Sequence, residues 1–360
     1  MAGVTGALPS PEFWAGRRVL VTGHTGFKGA WLSLWLRAMG AEATGLSLAS
    51  EPGSLGAALG IEDLFPSLEV DIRQRQALAA AVASIRPELV LHLAAQSLVR
   101  RSYRDPVETF ATNVMGTAHL LEAVRAVPEV RGVLVVTSDK CYENRDWAWP
   151  YREIDPLGGH DPYSASKAGT ELVAAAWRRS FLAGQGVALA TARAGNVIGG
   201  GDQASDRLVP DCIRAFASGL PVPIRNPAST RPWQHVLDPL CGYLVLAERL
   251  HAGEPVADAW NFGPGPEGVR PVRDVVEALA ELWGEGAGWT ADAGDHPREA
   301  GLLAVDSSLA RARLGWRPRL PFPAALRMTA RWYKRHAQGA DPRRLMEDDI
   351  AAFTAGDLPC

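Results

Sequence analysis

Two short stretches carry residue types able to do acid–base chemistry at close quarters. In the first, Tyr163 and Lys167 stand four residues apart at the head of a helical pattern, which puts a phenol and an ammonium on one helix face. A neighbouring cation favours the ionised phenol, and a phenolate near neutral pH is a usable general base for a hydroxyl of the kind a sugar ring carries. In the second, Ser138, Asp139 and Lys140 follow directly on the apolar, strand-like run 133–137. If that strand end faces that helix head, a hydroxyl, a carboxyl, a phenol and two ammonium groups surround one small space.

Tyr-x-x-x-Lys alone arises by chance in many helices, so its weight comes from the elements around it. Residues 17–22 read as a short buried strand, and Gly23-His24-Thr25-Gly26-Phe27-Lys28-Gly29 leads into a helical run through Trp31, Leu32, Leu34, Trp35 and Leu36. A glycine turn of this kind lets backbone approach a pyrophosphate and aims unpaired helix N–H groups at it; tight packing is the plain alternative. Residues 42–48 predict a second strand, whose end carries neither the acid that holds the ribose of NAD nor an Arg for a 2′-phosphate. Ser47 is left there as a ribose contact or an ordinary loop serine. Residues 68–72 predict a third strand, with Asp71 placed to meet an adenine amino group or to cap the next helix.

After a helix at 76–85, the nearly continuous apolar run 89–96 suits a parallel strand covered on both faces, with Ala94 and Ala95 small where a cofactor would pass. A helix over 106–127 contains Asn113, either a buried hydrogen-bonding strut or a surface residue. The alternation predicts an α/β fold, a Rossmann-type doubly wound parallel sheet with right-handed crossovers and a smaller C-terminal substrate-binding lobe. From Arg193 onward loops and prolines increase, and Gly199-Gly200-Gly201 suits close approach to a ligand. The expected division is discontinuous: 1–196 with about 232–262 as the dinucleotide-binding domain, about 197–231 with 263–360 as the substrate domain. Trp233 is either a core residue or a wall beside a base, and the tail 327–360 shows helical spacing without a site signal.

Composition narrows the partners. A formal charge of -3 without a clustered Lys/Arg tract argues against nucleic acid and anionic membrane surfaces, leaving a small molecule. Cys141, Cys212, Cys241 and Cys360 are scattered without Cys-x-x-Cys spacing, so neither a disulfide framework nor a metal site is expected. Residues 1–14 lack a secretory signal and no apolar run approaches bilayer length, so a cytoplasmic protein is expected.

With Ser138, Tyr163 and Lys167 behind a glycine turn, the chain resembles the extended short-chain dehydrogenase/reductases over roughly residues 13–316. Within them it is similar to the CDP-glucose 4,6-dehydratases, through the segments 22–29, 137–142, 193–202 and 231–236. The resemblance implies NAD, in preference to NADP, tightly bound and regenerated at each turnover. The cofactor set it implies is Gly23, Thr25, Gly26, Phe27, Lys28, Gly29, Ser47, Asp71, Ile72, Ala94, Ala95, Gln96, Asn113, Tyr163, Lys167 and Arg193. It also implies a nucleotide-sugar substrate, a CDP-hexose, held by Asn196, Arg207, Arg231, Gln234 and Arg298, where a guanidinium fork matches phosphate oxygens.

The implied reaction begins as Tyr163 takes the proton of the sugar O4 and hydride leaves C4. The 4-ketone acidifies C5, water is eliminated across C5 and C6, and hydride returns to C6. Asp139 acts as the acid only when protonated, a form that burial favours. Lys140, where related dehydratases carry Glu, serves either as the C5 base in its neutral form or as a cation stabilising the enolate. A nucleotide-sugar 4-epimerase shares Ser138, Tyr163 and Lys167 but needs no Asp139-Lys140, and a non-catalytic dinucleotide sensor would keep the fold without turnover. Family members commonly pair through the helices of Asn113 and Tyr163, so a homodimer or higher homo-oligomer is expected.

Overall fold

The computed structural model describes residues 6–284, 286–292, 294 and 301–357, so Arg298 and Cys360 lie outside the described residues. The apolar runs of the first two-thirds form β1 (Arg18–Thr22), β2 (Glu42–Ser47), β3 (Ser67–Glu69), β4 (Leu89–His92), β5 (Gly132–Val136) and β6 (Ala188–Ala194). With the strand Ala259–Phe262 they make one seven-stranded sheet, in the order Ala259–Phe262, β6, β5, β4, β1, β2, β3, and every pairing is parallel. Val19, Val90 and Val133 are fully buried, as strands covered on both faces require. The strand order reverses between β1 and β4, and a crevice opens there beyond their carboxyl ends.

Helices Arg75–Ile85, Gly116–Val124 and Pro162–Trp177 cover one face, with Leu78, Leu120 and Ala174 in a core shared with Val133 and Val135. Helices Phe27–Ala38 and Leu237–His251 cover the other, burying Trp31, Trp35, Leu240 and Tyr243. The expected helix over 106–127 runs from Pro106 to Val124 with a wider, π-type turn at Ala111–Met115, which contains Asn113. Strand β3 stops at Glu69, so Asp71 belongs to the turn after it.

The smaller lobe begins where β6 ends. Asn196–Ile198 lies between β6 and the cleft and pairs in parallel with Thr230–His235, which pairs antiparallel with Val269–Pro271. Val222–Ile224 pairs with Trp289–Ala291 beside helices Leu208–Ala217 and Val272–Trp283. Among the described residues, no helix is long and apolar enough to cross a membrane.

The tail, which carries no site signal in the sequence, turns out to support the site. Helix Phe322–Ala337 packs on Thr230–His235 and helix Val272–Trp283 of the smaller lobe, and Pro342–Ala355 packs onto the first lobe, Phe353 meeting Trp35 edge-on at 5.6 Å. Tyr333 donates its hydroxyl to the Asp202 carbonyl at 2.7 Å, and Trp31 donates Nε1 to the Gly200 carbonyl at 3.0 Å. Trp332 lies so close that a Cβ on Gly200 would stand 2.0 Å from its Cγ. The triple-glycine loop therefore owes its course to indole packing contributed by the tail. Gly200→Ala is expected to lower unfolding free energy by about 1–3 kcal/mol through overpacking, measured by urea denaturation.

Candidate active site

A single cleft of about 960 Å³ runs over the carboxyl ends of β1, β4 and β5 and between the two lobes. At its first end lies the glycine turn. Gly23 has φ +73°, and a Cβ there would stand 2.7 Å from the Ala94 nitrogen; one on Gly29 would stand 2.0 Å from the Gly23 carbonyl oxygen. Only glycine lets β1, the Ala94 segment and the helix meet this closely. Gly26 caps helix Phe27–Ala38 without a side-chain hydrogen bond, so its first N–H groups face the cleft free to take anionic oxygens. Ala94, Ala95 and Ile72 continue the wall, and this cradle fits the pyrophosphate and adenosine half of a dinucleotide.

The polar residues along that wall are mostly engaged. Ser47 accepts from Thr25 Oγ1 at 3.1 Å and lies 2.9 Å from His24 Nδ1, while His24 Nε2 lies 2.9 Å from Ser67 Oγ. Gly45 makes room for this imidazole, since a Cβ there would come within 2.3 Å of His24 Cδ2. Asp71 lines the cleft, but Arg73 donates to its Oδ2 at 2.6 Å and holds the carboxyl below the usual carboxylate range. Arg73 N–H also donates to Asp71 Oδ1 at 2.9 Å, so Asp71 braces the turn leading into helix Arg75–Ile85.

At the centre of the cleft, β5 ends in Thr137 and a tight turn, Asp139–Cys141, which brings Ser138, Asp139 and Lys140 opposite the head of helix Pro162–Trp177. Asp161 caps that helix by accepting from Ser164 N–H at 2.9 Å, and Pro162 fixes its first turn. Ser138 donates to Asp139 Oδ1 at 3.0 Å and accepts from Lys140 N–H at 3.2 Å. Asp139 is 2% exposed, and its Oδ2 has no partner among the described residues. Gly195 leaves space before it, for a Cβ there would lie 3.1 Å from that oxygen. Lys140 lines the same stretch of the cleft.

The phenol and the ammonium behave differently from the sequence expectation. Burial pushes the Tyr163 phenol up to about 12; the Ser138 hydroxyl and the Arg207 guanidinium pull it down, and Asp139 and Asp161 push it further up. Lys167 lies within the same wall, donates to the Val136 carbonyl at 3.3 Å and is pushed down to about 8 by burial, with Glu171 opposing. The group that most favours the phenolate is therefore Ser138, with Arg207 second, and the ammonium is directed at the end of β5.

Three assigned residues, Asn113, Arg193 and Gln234, lie behind the wall, and a fourth, Gln96, stands in it with its amide engaged. Asn113 is the buried strut: Oδ1 accepts from Gln96 N–H at 2.8 Å, and Nδ2 donates to the Gln96 carbonyl at 3.0 Å and to Ser166 Oγ at 2.8 Å. It ties the Ala95–Gln96 wall to the turn of helix that separates Tyr163 from Lys167. Gln96 spends its amide on Leu98 and Thr109. Arg193, assigned to the cofactor, is 3% exposed and forks onto Glu171 at 2.9 and 2.8 Å, with Nη1 donating to Tyr142 Oη at 2.7 Å. Gln234, assigned to substrate, donates Nε2 to the Phe262 carbonyl at 2.7 Å inside the lobe junction. Arg193 is thus satisfied within a buried network, whereas Gln234 Oε1 has no partner among the described residues; neither side chain lines the cleft.

Asn196, Arg207 and Arg231 do line the cleft. Arg207 donates to Asp202 Oδ2 at 2.9 Å and to Ser97 Oγ at 2.9 Å, bridging the lobes across the opening. Arg231 is 5% exposed and donates to the Thr230 carbonyl at 2.9 Å. Trp233 combines both readings, packed in the core with its Nε1 on the Arg270 carbonyl and one edge in the cleft. Sequence reasoning missed Asp202, which directly follows the three glycines, and Glu171, which continues the i, i+4 spacing of Tyr163 and Lys167 by one more turn.

The model of the NAD dependent epimerase/dehydratase family matches residues 19–263. A CDP-glucose 4,6-dehydratase of Salmonella typhimurium is 49% identical over 354 residues, covering 95% of this chain and 99% of that protein. A dTDP-glucose 4,6-dehydratase of Neisseria gonorrhoeae is 29% identical, covering 88% and 95%. Among solved structures, the dTDP-glucose 4,6-dehydratase DesIV of Streptomyces venezuelae, crystallised with NAD, superposes with a TM-score of 0.77 at 26% identity, over 91% of this chain and 99% of that one.

Lys28 yields a test of the electrostatics. Burial, with Arg207 and Lys167 nearby, pushes this ammonium down to about 7, while Asp139 and Asp202 oppose. A base whose folded value is depressed costs stability in full below about 7, and the cost fades as pH rises towards its unfolded value of about 10.4. In ligand-free protein, Lys28→Met is expected to be more stable than the parent at pH 6, with the gap closing by pH 10, measured by urea unfolding across that range.

Proposed function

Because the chain belongs to the NAD dependent epimerase/dehydratase family, we propose that it is a nucleotide-sugar 4,6-dehydratase that converts CDP-glucose to CDP-4-keto-6-deoxyglucose. The observation that carries this reading is the Asp139–Cys141 turn, which presents an acid and a lysine to the same cleft as Tyr163. A 4-epimerase needs only the phenol and its neighbours, and has no use for a buried carboxyl oxygen left without a partner. The 49% identity to the Salmonella protein supports the cytidine nucleotide.

The glycine turn, Ala94, Ala95 and Ile72 would hold NAD, with Tyr163 and Lys167 at its reacting end. NAD bound there supplies a hydride acceptor for C4 and returns the hydride at C6. Tyr163 accepts the O4 proton in its phenolate form, a minority form at neutral pH that Ser138 and Arg207 favour. Asp139, through Oδ2, gives a proton to the departing 6-hydroxyl, and the space before Gly195 lets that hydroxyl approach. Lys140, which lines the cleft, takes the C5 proton in its amine form, and the ammonium so formed gives a proton back to C5 when hydride reaches C6. Arg207 and Arg231, with Asn196, hold the diphosphate and sugar, where fixed guanidinium forks suit anionic oxygens.

Val107, Met115 and Leu172 are 78%, 51% and 61% exposed on the neighbouring helices that carry Asn113 and Tyr163, an apolar surface that suits a homodimer. Cys141, Cys212 and Cys241 are buried free thiols, which suits the reducing cytoplasm.

The test offers the purified chain CDP-, dTDP-, UDP- and GDP-glucose and follows loss of water by mass spectrometry. A 4-keto-6-deoxy product from CDP-glucose, carrying deuterium at C5 when formed in deuterium oxide, is expected; a C4 epimer of unchanged mass would overturn the proposal. Tyr163→Phe is expected to cut kcat by about 100-fold or more with the nucleotide still bound. Asp139→Asn should spare oxidation at C4 and stall elimination, seen as accumulated reduced nicotinamide absorbance.

A further inference from the structure

Glu171 has no part in the steps above, yet it occupies the best-organised polar position in the molecule. It follows Tyr163 and Lys167 at successive turns of helix Pro162–Trp177 and is 3% exposed. Oε1 accepts from Thr137 Oγ1 at 2.5 Å and Arg193 Nε at 2.9 Å; Oε2 accepts from Thr191 Oγ1 at 2.7 Å and Arg193 Nη2 at 2.8 Å. Every lone-pair direction of the carboxylate is used. Thr137 immediately precedes Ser138, and Arg193 donates to the hydroxyl of Tyr142, which ends the turn carrying Asp139 and Lys140. Through these two contacts one carboxylate grips the catalytic turn at both ends.

The same carboxylate faces Lys167 one turn back. The charged and titratable groups around Lys167 are Tyr163 and Glu171 on its own helix, Cys141 in the turn, His92 on β4 and Lys28 in the glycine turn. Around Glu171 they are Arg193 on β6, Arg178 at the end of its helix and Cys141. Burial disfavours the Lys167 ammonium and Glu171 is the chief group opposing it.

We propose that Glu171 is a positioning residue for the reaction: it fixes the Thr137–Tyr142 segment against the Tyr163 helix and sets a negative charge one helical turn from Lys167. Pairing with Arg193 accounts for the negative charge; what marks Glu171 as a positioning residue is that the same carboxylate also accepts from Thr137, which leads into the turn of Asp139 and Lys140. The proposal presumes that Tyr163 and Lys167 stand at the reacting end of the cleft, but its direct readout needs no turnover. A failed dehydratase assay and a failed role for Glu171 are therefore distinguishable.

The chain contains only four lysines, Lys28, Lys140, Lys167 and Lys334, so protein grown on carbon-13 lysine gives four side-chain signals, and Lys167→Met assigns the one needed. In the parent that signal should titrate at about 8. In full-length Glu171→Gln its midpoint is expected to fall by about 1 pH unit, because the opposing charge is gone. The alkaline limb of kcat should fall with it, while KM stays within about twofold of the parent. A folded Glu171→Gln whose Lys167 midpoint is unchanged would overturn the proposal, whatever its activity. Should Arg193 left without its partner prevent folding, Glu171→Gln with Arg193→Met removes both buried charges and keeps an amide for Thr137 and Thr191. The same downward movement of Lys167 is expected there, and an unmoved midpoint in that variant would equally overturn the proposal.

Discussion

A parallel sheet covered on both faces leaves polar chemistry one place to go, the edge where its strands run out. The inner strands of the seven-stranded sheet are buried against helices, so Thr22, Ala94, Thr137 and Ala194 all emerge at one rim, and the loops that follow inherit a common cleft. The reversal of strand order between β1 and β4 opens that rim where the glycine turn stands. From this constraint follow the convergence of distant segments, 23–29, 94–97, 137–140 and 194–207, and the need for glycine wherever two of them touch. The rim explains where the site is; it does not explain why the site is rigid.

Rigidity comes from a second layer of satisfied buried polar groups. An ion pair as deep as Glu171–Arg193 is costly to desolvate and contributes little stability over an apolar replacement, so its presence calls for a reason other than holding the fold together. Its hydrogen bonds lead from the helix to Thr137, to Tyr142 and on to Asn261, whose amide donates to the Tyr151 and Asp306 carbonyls. Asn113 does the same on the other flank of Tyr163, through Gln96 and Ser166. The catalytic helix is thereby locked between two polar struts, and a shift of either moves phenol and carboxyl together. Because each strut is fully satisfied, it specifies one arrangement where an apolar contact would tolerate several.

Much of this was legible in the residues. Apolar runs of strand length separated by helical periods predict the sheet, and Ser138, Asp139, Lys140, Tyr163 and Lys167 meet in the cleft as their positions at strand end and helix head require. The misreadings share one cause. Arg193 and Gln234 are polar residues of motif segments, and sequence does not reveal whether a polar side chain points into a cleft or into a buried network; the answer depends on partners such as Glu171 and Phe262 that are 22 and 28 residues away. The tail was opaque for the opposite reason. Trp332 and Tyr333 stand in a stretch that shows helical spacing alone, and only the close approach of Gly200 and the Asp202 carbonyl makes them part of the site's support.

The distribution of cations carries the last step. Of 37 basic residues only four are lysines, and three of them, Lys28, Lys140 and Lys167, line the one cleft. Arginine keeps its charge at any working pH, whereas lysine loses it readily when buried among other cations. Lys334 apart, the rest of the chain meets its need for positive charge with arginine, and Arg207 and Arg231 bring it into the cleft as well. Burial pushes Lys28 down to about 7 and Lys167 to about 8, so both titrate within reach of neutrality. A cleft that must bind anionic oxygens and also move protons needs both kinds of cation. The cleft carries both: arginines whose charge is permanent, and in Lys28 and Lys167 two ammonium groups whose charge burial makes removable.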